Sequence, residues 1–269
     1  MPTSTPRPIA LVTGASAGLG REFACQLAAR GYDLVLVARD RLRLDALAAE
    51  LNGRHGGLHQ VLVADLATDA GAASAHARAT HGDVALLVNN AGFGTIGSLA
   101  RVALASQEAM LKLHVLLPNA LTHAVLPGMI ARRSGAIINV SSVASYVTSA
   151  GNANYCGSKA YLRTFSEALA QEVSRHGIVV QALCPGFTHT EFHARAGMDK
   201  TRIPAVFWLS AERVVSESLA ALVKGRPVAV IPGKRYRVIV ALLRHAPDWM
   251  RVRGARRYRR DVEGAPPSA

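Results

Sequence analysis

The segment Ile9–Gly20 reads IALVTGASAGLG, an apolar run that leads into a glycine-rich turn. Its glycines have G-x-x-x-G-x-G spacing, and a helical pattern of apolar residues follows them. A strand, a glycine-rich turn and a helix N-terminus in this order are typical of a dinucleotide phosphate site. We expect Gly14 and Gly18 to bring backbone N–H groups to a pyrophosphate, and Gly20 to let the helix pack closely on the sheet. The alternative is a plain tight turn.

Six further apolar runs follow this segment, with helical stretches between them. They are Leu34–Ala38, Val61–Ala64, Ala85–Val88, Ala136–Val140, Ile178–Leu183 and Val228–Ile231. The runs are continuous rather than alternating, which is typical of strands covered on both faces. The sequence therefore predicts an α/β fold of Rossmann type, a doubly wound, seven-stranded and mostly parallel sheet with helices on both faces. A generic α/β domain without a nucleotide site would share this pattern.

The chain has 269 residues, a length that fits one such domain. We expect residues 1–233 to form the dinucleotide-binding and catalytic domain. Residues 234–269 would form a basic C-terminal extension that packs on, or trails from, the same domain. Half of the residues are hydrophobic, which favours a large core over disorder.

The cysteines and the first residues indicate the compartment. Cys25, Cys156 and Cys184 form no C-x-x-C pair, so we expect neither a disulfide framework nor a metal site. The N-terminal residues lack the apolar core of a signal peptide, and no uninterrupted apolar run is long enough to span a bilayer. These features favour a cytoplasmic protein.

The formal net charge of +13 is concentrated near the C-terminus. The segment Lys224–Arg260 carries twelve of the 31 Lys and Arg residues and a single acid, Asp248. With Trp249 and Tyr258 among the arginines, one interpretation is a peripheral contact with an anionic membrane surface. An acidic protein, a phosphate-bearing substrate, and a solvated basic face with a frayed end are the alternatives. No nucleic-acid recognition motif is present, so we expect no nucleic-acid partner.

The end of the second apolar run indicates which cofactor is used. An acid at this position favours a free ribose 2′-hydroxyl, whereas an Arg accommodates a 2′-phosphate. Here the run ends with Ala38-Arg39-Asp40, about twenty residues after the glycine turn. We therefore expect NADP(H) to be favoured over NAD(H), with Arg39 on the 2′-phosphate. In the competing interpretation Asp40 binds the ribose and Arg39 is a solvated residue at a helix start.

Tyr155 and Lys159 stand four residues apart in the stretch YCGSK. On a helix, side chains at this spacing share one face. A nearby ammonium favours the phenolate, so we expect Lys159 to lower the pKa of Tyr155 and to make it a proton donor near operating pH. A surface helix pair is the alternative for this motif alone.

Taken together, these motifs resemble those of the short-chain dehydrogenase/reductase family in its compact form of about 250 residues. In chain order the matching segments are Thr13–Gly20, Asp65-Leu66, Asn89-Asn90-Ala91-Gly92, Ser141-Ser142, Tyr155–Lys159 and Pro185-Gly186. The resemblance extends from about Ile9 to Ile231 and implies an enzyme that interconverts a carbonyl and a secondary alcohol. It also implies a homo-oligomer.

The resemblance assigns roles to individual residues. Ser142 would hydrogen-bond the substrate oxygen, Tyr155 would act as general acid and base, and Lys159 would bind the nicotinamide ribose. With the Arg39 interpretation added, the cofactor-binding residues are Gly14, Ser16, Gly18, Leu19, Gly20, Arg39, Asp65, Leu66, Asn90, Ala91, Gly92, Tyr155, Lys159, Pro185, Gly186, Thr188 and Thr190.

One residue departs from the family pattern. His114 occupies the position where the family usually has an Asn that completes a proton relay through Lys and water. An imidazole can hydrogen-bond a carbonyl or a water, so it is a candidate catalytic residue. A satisfied core histidine is the alternative. We expect His114→Asn to leave activity within about tenfold, and a loss of several hundredfold would show that His114 has a specific role.

The connection after Pro185 contains seven apolar residues that would cover the substrate. They are Phe187, Phe192, Met198, Ile203, Phe207, Trp208 and Leu209. They predict a small hydrophobic carbonyl or alcohol substrate, unless they serve to pack the connection onto the domain. The leading function is thus an NADP(H)-dependent oxidoreductase. The alternative is a non-catalytic NADP(H)-binding, redox-sensing protein that acts through its basic tail.

Overall fold

A computed structural model of the protein describes residues 6–192 and 203–245. The strands are β1 (Ile9–Thr13), β2 (Asp33–Ala38), β3 (His59–Val63), β4 (Val84–Asn89), β5 (Gly135–Val140), β6 (Ile178–Leu183), β7 (Thr188–His189), β8 (Leu209–Ser210) and β9 (Ala229–Val230). The helices are α1 (Gly18–Ala28), α2 (Arg41–His55), α3 (Asp69–Ala79), α4 (Leu104–Leu111), α5 (Leu117–Ala131), α6 (Ala153–Val173), α7 (Ala211–Lys224) and α8 (Lys234–His245).

Seven strands form one sheet in the order β3-β2-β1-β4-β5-β6-β9, and every pair is parallel. The predicted doubly wound fold is confirmed. Strand bounds differ in detail, since β3 begins at His59 and the last strand has only two residues. The sequence did not predict the second, two-stranded sheet, in which β7 pairs with β8.

The sheet separates two apolar cores. Consecutive residues of β1 point to opposite faces, so Val12 belongs to one core and Leu11 to the other. The first core contains Phe23 of α1, and the second contains Leu121 of α5. Both faces of the sheet are covered, so the polar side chains at the carboxyl ends of its strands lie at the edge of the sheet. Ligands of such sheets bind at this edge.

Helices α4 and α5 run continuously through a π-helical turn at Lys112–Leu116. By length and composition the whole stretch Leu104–Ala131 qualifies as a candidate membrane span, with 44% of its apolar window buried. Val125 and Met129, for example, pack in the second core. Part of this stretch is thus packed in the core of the domain.

The predicted basic extension begins with α8. This helix packs on the domain through Tyr236 and Val240, both of which are buried. The rest of the extension, which includes Trp249, Tyr258 and the arginines from Arg251 to Arg260, lies outside the described residues.

Candidate active site

The glycine turn connects β1 to α1. Gly14 and Gly18 have φ angles of +68° and +55°, which L side chains rarely adopt. A Cβ at Gly20 would lie 2.2 Å from the Gly14 carbonyl oxygen, so the expected close packing of α1 is present. Among the described residues no side chain caps α1, whose N-cap residue is Ala17. The first N–H groups of this helix are therefore suited to an anionic ligand.

The structure corrects the role expected of Gly14. Its N–H donates to the Val37 carbonyl at 2.8 Å and is not directed at a ligand. Gly14 is needed for the turn and for space, since a Cβ there would lie 2.8 Å from Nδ2 of Asn90. The Asn90 amide itself donates to the Thr13 carbonyl at 2.8 Å and to the Gly14 carbonyl at 3.3 Å. The Asn90 side chain thus holds the glycine turn.

Thr13 is a structural residue that sequence reasoning passed over. Its hydroxyl accepts hydrogen bonds from the backbone N–H groups of Asn90 and Ala91 and donates to the Val88 carbonyl. This buried hydroxyl joins the end of β1 to the N-N-A-G segment. In the sequence, the one sign of this structural role is that Thr13 stands directly before Gly14 of the glycine turn.

The end of β2 presents Arg39 to solvent. Its guanidinium lies 3.9 Å from a carboxylate oxygen of Asp65, and its side chain is 72% exposed. Asp40 is occupied differently, because it is the N-cap of α2 and accepts from the Arg43 N–H at 3.0 Å. Leu66, next to Asp65, is buried in the second core. Arg39 and Asp65 thus lie side by side at the carboxyl ends of β2 and β3.

Ser142, Tyr155 and Lys159 meet beyond the carboxyl end of β5. The Ser142 hydroxyl lies close enough to the Tyr155 phenol to favour its ionised form. The ammonium of Lys159 lies 5.8 Å from the centre of the Tyr155 ring and donates to the Val140 carbonyl at 2.9 Å. The structure thus brings together Ser142, Tyr155 and Lys159, three of the four predicted catalytic residues.

The pKa values in this group differ from the expectation. Burial raises the pKa of Tyr155 to about 12, against the smaller lowering effect of the Ser142 hydrogen bond. Burial also lowers the pKa of Lys159 to about 7. In the protein alone the pKa of Tyr155 is therefore raised, contrary to the prediction of a lowered value, because desolvation of the phenolate is the largest effect.

His114 lies in the π-helical turn and is fully buried. Its ring is 5.8 Å from the Tyr155 ring in an edge arrangement, and its Nδ1 is 3.0 Å from the Ser158 hydroxyl oxygen. Burial, aided by the Lys159 ammonium, holds the pKa of His114 well below its ordinary value. The imidazole is therefore neutral at physiological pH. Ser158 is a further residue that sequence reasoning missed.

The hydrogen bonds of Ser158 assign the tautomer of His114. The Ser158 hydroxyl donates to the Tyr155 carbonyl at 3.0 Å, so it accepts the proton on Nδ1 of His114. Nε2 then carries a lone pair, and it has no hydrogen-bond partner among the described residues. A Cβ at Gly92 would lie 2.3 Å from Nε2, so His114 occupies the space beside the N-N-A-G segment.

The segment after β6 closes the site from the other side. The Pro185 carbonyl accepts from the Val143 N–H at 3.0 Å, next to Ser142. Thr188 is buried, and its hydroxyl donates to the Gly186 carbonyl at 3.0 Å. A Cβ at Gly18 would lie 3.3 Å from Cβ of Thr190. This segment therefore spans the cleft between Ser142 and the glycine turn.

The predicted apolar cover separates into two groups. Phe187, Phe207 and Leu209 pack in the first core, as in the packing alternative. Phe192 is different, because its ring lies 6.1 Å from the Tyr155 ring. Met198 lies outside the described residues.

Comparison with known proteins places the chain in a family. A family model described as short chain dehydrogenase matches residues 8–201. A solved short-chain dehydrogenase from Sphingobium yanoikuyae in complex with NADPH is 34% identical and superposes with a TM-score of 0.81, covering 97% of this chain and 98% of that one. The chain therefore belongs to the short-chain dehydrogenase family of nicotinamide-dependent oxidoreductases.

Curated relatives include reductases of acyl substrates. The chain is 32% identical over 219 residues to a very-long-chain 3-oxoacyl-CoA reductase of Phaeosphaeria nodorum, which covers 79% of this chain and 62% of that protein. It is 35% identical over 206 residues to a 3-oxoacyl-(acyl-carrier-protein) reductase of Escherichia coli, which covers 77% and 83%. The chain spans between about half and two thirds of the length of the fungal relatives that it matches.

Proposed function

We propose that this protein is an NADP(H)-dependent oxidoreductase that interconverts a carbonyl and a secondary alcohol, with Tyr155 as general acid and base. The observation that carries the proposal is the grouping of Tyr155, Ser142 and Lys159 beyond β5, across a cleft from an uncapped helix N-terminus. When bound, the nicotinamide supplies or accepts the hydride.

The residues of the chain hold and move the proton. During reduction the Tyr155 hydroxyl donates its proton to the substrate oxygen as negative charge develops there, and during oxidation Tyr155 takes the proton back. Ser142, whose hydroxyl lies beside the Tyr155 phenol, orients the same oxygen. A Lys159 ammonium beside the phenol stabilises the tyrosinate left after transfer. Because its pKa lies near 7, this ammonium is readily deprotonated until an anionic or polar ligand group stabilises it.

His114 takes the position of the family's usual Asn without becoming a cation. Its neutral imidazole donates through Nδ1 to Ser158, whose hydroxyl donates to the Tyr155 backbone carbonyl. This chain of hydrogen bonds links the π-helical turn to the first turn of α6. We propose that His114 acts by positioning Tyr155, and that the lone pair on Nε2 accepts from a water of the relay.

The preference for NADP(H) rests on two neighbouring side chains. One carboxylate oxygen of Asp40 is engaged as the N-cap of α2, which weakens the competing interpretation in which Asp40 binds the ribose. Arg39 is 72% exposed, and its 3.9 Å contact with Asp65 is long enough to yield to a phosphate. The 2′-phosphate would therefore meet Arg39, and the adenine would lie by Asp65 and Leu66.

The substrate is proposed to be small and hydrophobic near the reacting carbon. Phe192 faces the Tyr155 ring at 6.1 Å and provides an apolar wall. The relatives named above, which act on 3-oxoacyl thioesters, have a carbonyl on an apolar chain as their substrate. A homo-oligomer in the cytoplasm remains part of the proposal.

Turnover of a substrate panel tests this function. Purified protein would be assayed with aliphatic, aromatic, steroid and 3-oxoacyl carbonyls and the matching alcohols, each with NADPH/NADP and NADH/NAD. We expect turnover of at least one hydrophobic carbonyl with NADPH. NADPH binding without turnover anywhere in the panel would instead favour the non-catalytic redox sensor.

A second role, contact with an anionic membrane surface, is favoured by the outer face of α8. Val238 and Leu242 are 59% and 68% exposed on this helix, and Lys234 and Arg244 flank them. An exposed apolar face with flanking cations suits the interface of an anionic bilayer. We propose that the extension from residue 234 onward, rather than the catalytic domain, makes this contact.

A further inference from the structure

Tyr236 of α8 joins the two described ends of the connection between β6 and α7. These ends are Phe187–Phe192 and Ile203–Ser210. The Tyr236 hydroxyl accepts from the Phe187 N–H at 2.9 Å and donates to the Phe207 carbonyl at 2.7 Å. One phenol oxygen therefore bonds to both ends at once, and the side chain is only 5% exposed.

The ring of Tyr236 occupies the space that Gly186 leaves open. A Cβ at Gly186 would lie 2.0 Å from Cζ of Tyr236, so Gly186 is required here for space. Gly186 follows Pro185, whose carbonyl accepts from the N–H of Val143, the neighbour of Ser142. The Tyr236 ring thus supports the backbone of the segment that reaches the proposed catalytic group.

The two ends also contact each other directly, since the Trp208 ring lies 5.7 Å from the Phe187 ring and stacks on the His189 ring at 4.9 Å. Phe187 accepts from the Leu209 N–H at 2.9 Å, beside the two-residue strands β7 and β8. Arg235, the neighbour of Tyr236, donates to the Val206 carbonyl at 2.9 Å. A two-residue strand pair is a weak constraint by itself, so the two hydrogen bonds of the buried phenol reinforce the ring contacts at this junction.

We infer that Tyr236 is a positioning residue for cofactor binding, because it fixes the segment Pro185–Thr190 from behind. The inference rests on the proposed function in one respect, namely that this segment holds the nicotinamide carboxamide. It makes the start of the C-terminal extension a support of the cofactor site, although α8 begins at Lys234, more than forty residues after that segment. In this account the helix that carries the basic extension also supports the cofactor cleft.

The variant Tyr236→Phe tests the inference because it keeps the ring beside Gly186 and removes only the hydroxyl. Two neutral hydrogen bonds would be lost, so both ends would be less ordered in the free protein. Ordering them when the cofactor binds would then cost free energy and weaken binding. We expect the NADPH Kd, measured by fluorescence at 20 °C with folded protein, to rise about tenfold.

The matched control is Tyr161→Phe on α6, whose hydroxyl accepts from Asn119 away from the cleft. It should change the Kd by less than twofold. Equal Kd values for wild type and Tyr236→Phe, with only a lower Tm, would overturn the inference.

Amide hydrogen exchange provides a second test that also works if the variant does not fold. In the wild-type protein the Phe187 amide should be protected, and in a folded Tyr236→Phe variant it should exchange at least about tenfold faster. An unprotected Phe187 amide in the wild type would contradict the inference. Both readouts are independent of turnover, so a wild-type protein that reduces no carbonyl would refute the proposed function and leave this test intact.

Discussion

Replacing His114 by Asn changes a fully buried imidazole whose pKa is held well below its ordinary value of 6.5. The unfolded chain takes up a proton on this imidazole as the pH falls through 6.5, whereas the folded protein does not. Stability from the neutral imidazole is therefore complete above pH 6.5 and is lost below it. The loss approaches 1.36 kcal/mol per pH unit, which is about 2 kcal/mol at pH 5.

Urea unfolding at pH 5, 6, 7 and 8 measures this effect directly. The difference in the free energy of unfolding between His114→Asn and wild type should shift by about 2 kcal/mol in favour of the variant between pH 8 and pH 5. Lys159 is present in both proteins, so its own titration largely cancels. The control, His123→Asn, changes an exposed imidazole of α5 and should show no such shift. Parallel curves for wild type and His114→Asn would refute the assignment of a buried, neutral imidazole. Reductase activity of the same variant should stay within about tenfold, because an amide can replace Nδ1 as donor to Ser158.

Three further perturbations address the cofactor cleft and the extension. Arg39→Gln should raise the KM for NADPH about thirtyfold, because about 2 kcal/mol of charge-assisted hydrogen bonding is lost, and it should leave the KM for NADH within twofold. An equal rise in KM for both cofactors would show that Arg39 does not bind the 2′-phosphate. Gly20→Ala places a Cβ 2.2 Å from the Gly14 carbonyl oxygen, so both the Tm and the affinity for NADPH should fall. An unchanged affinity for NADPH would argue against the glycine turn as the phosphate site. Deletion of residues 247–269 should reduce partitioning onto anionic liposomes at low salt, with neutral liposomes as the control. Unchanged partitioning would contradict a membrane contact through these residues.

The fold could be predicted because its signals are local. Continuous apolar runs and glycine spacing are properties of short segments, and each run maps to one strand of the parallel sheet. The Tyr155–Lys159 pair was visible for the same reason, since one helical turn separates the two residues. Their pKa values were not predictable, because the desolvation that dominates both values depends on packing by distant elements.

The remaining features of the site depend on contacts between distant segments. His114 and Ser158 are 44 residues apart in sequence, and Tyr236 contacts Phe187 across 49. A π-helical turn leaves no distinct pattern of apolar residues, and two-residue strands are too short to recognise from periodicity. In the basic stretch that begins α8, Tyr236 was one aromatic among arginines, and only the fold shows that it is buried.

Tyr155→Phe tests the central claim most directly, with Tyr161→Phe on the same helix as the control. The variant keeps the ring and removes the proton that the mechanism requires. With the best carbonyl of the panel, kcat/KM should fall between about a hundredfold and ten-thousandfold, and the NADPH Kd should stay within about threefold. Tyr161→Phe should retain wild-type turnover. A Tyr155→Phe variant that keeps more than about a tenth of the wild-type kcat/KM would contradict the assignment of Tyr155 as the acid and base.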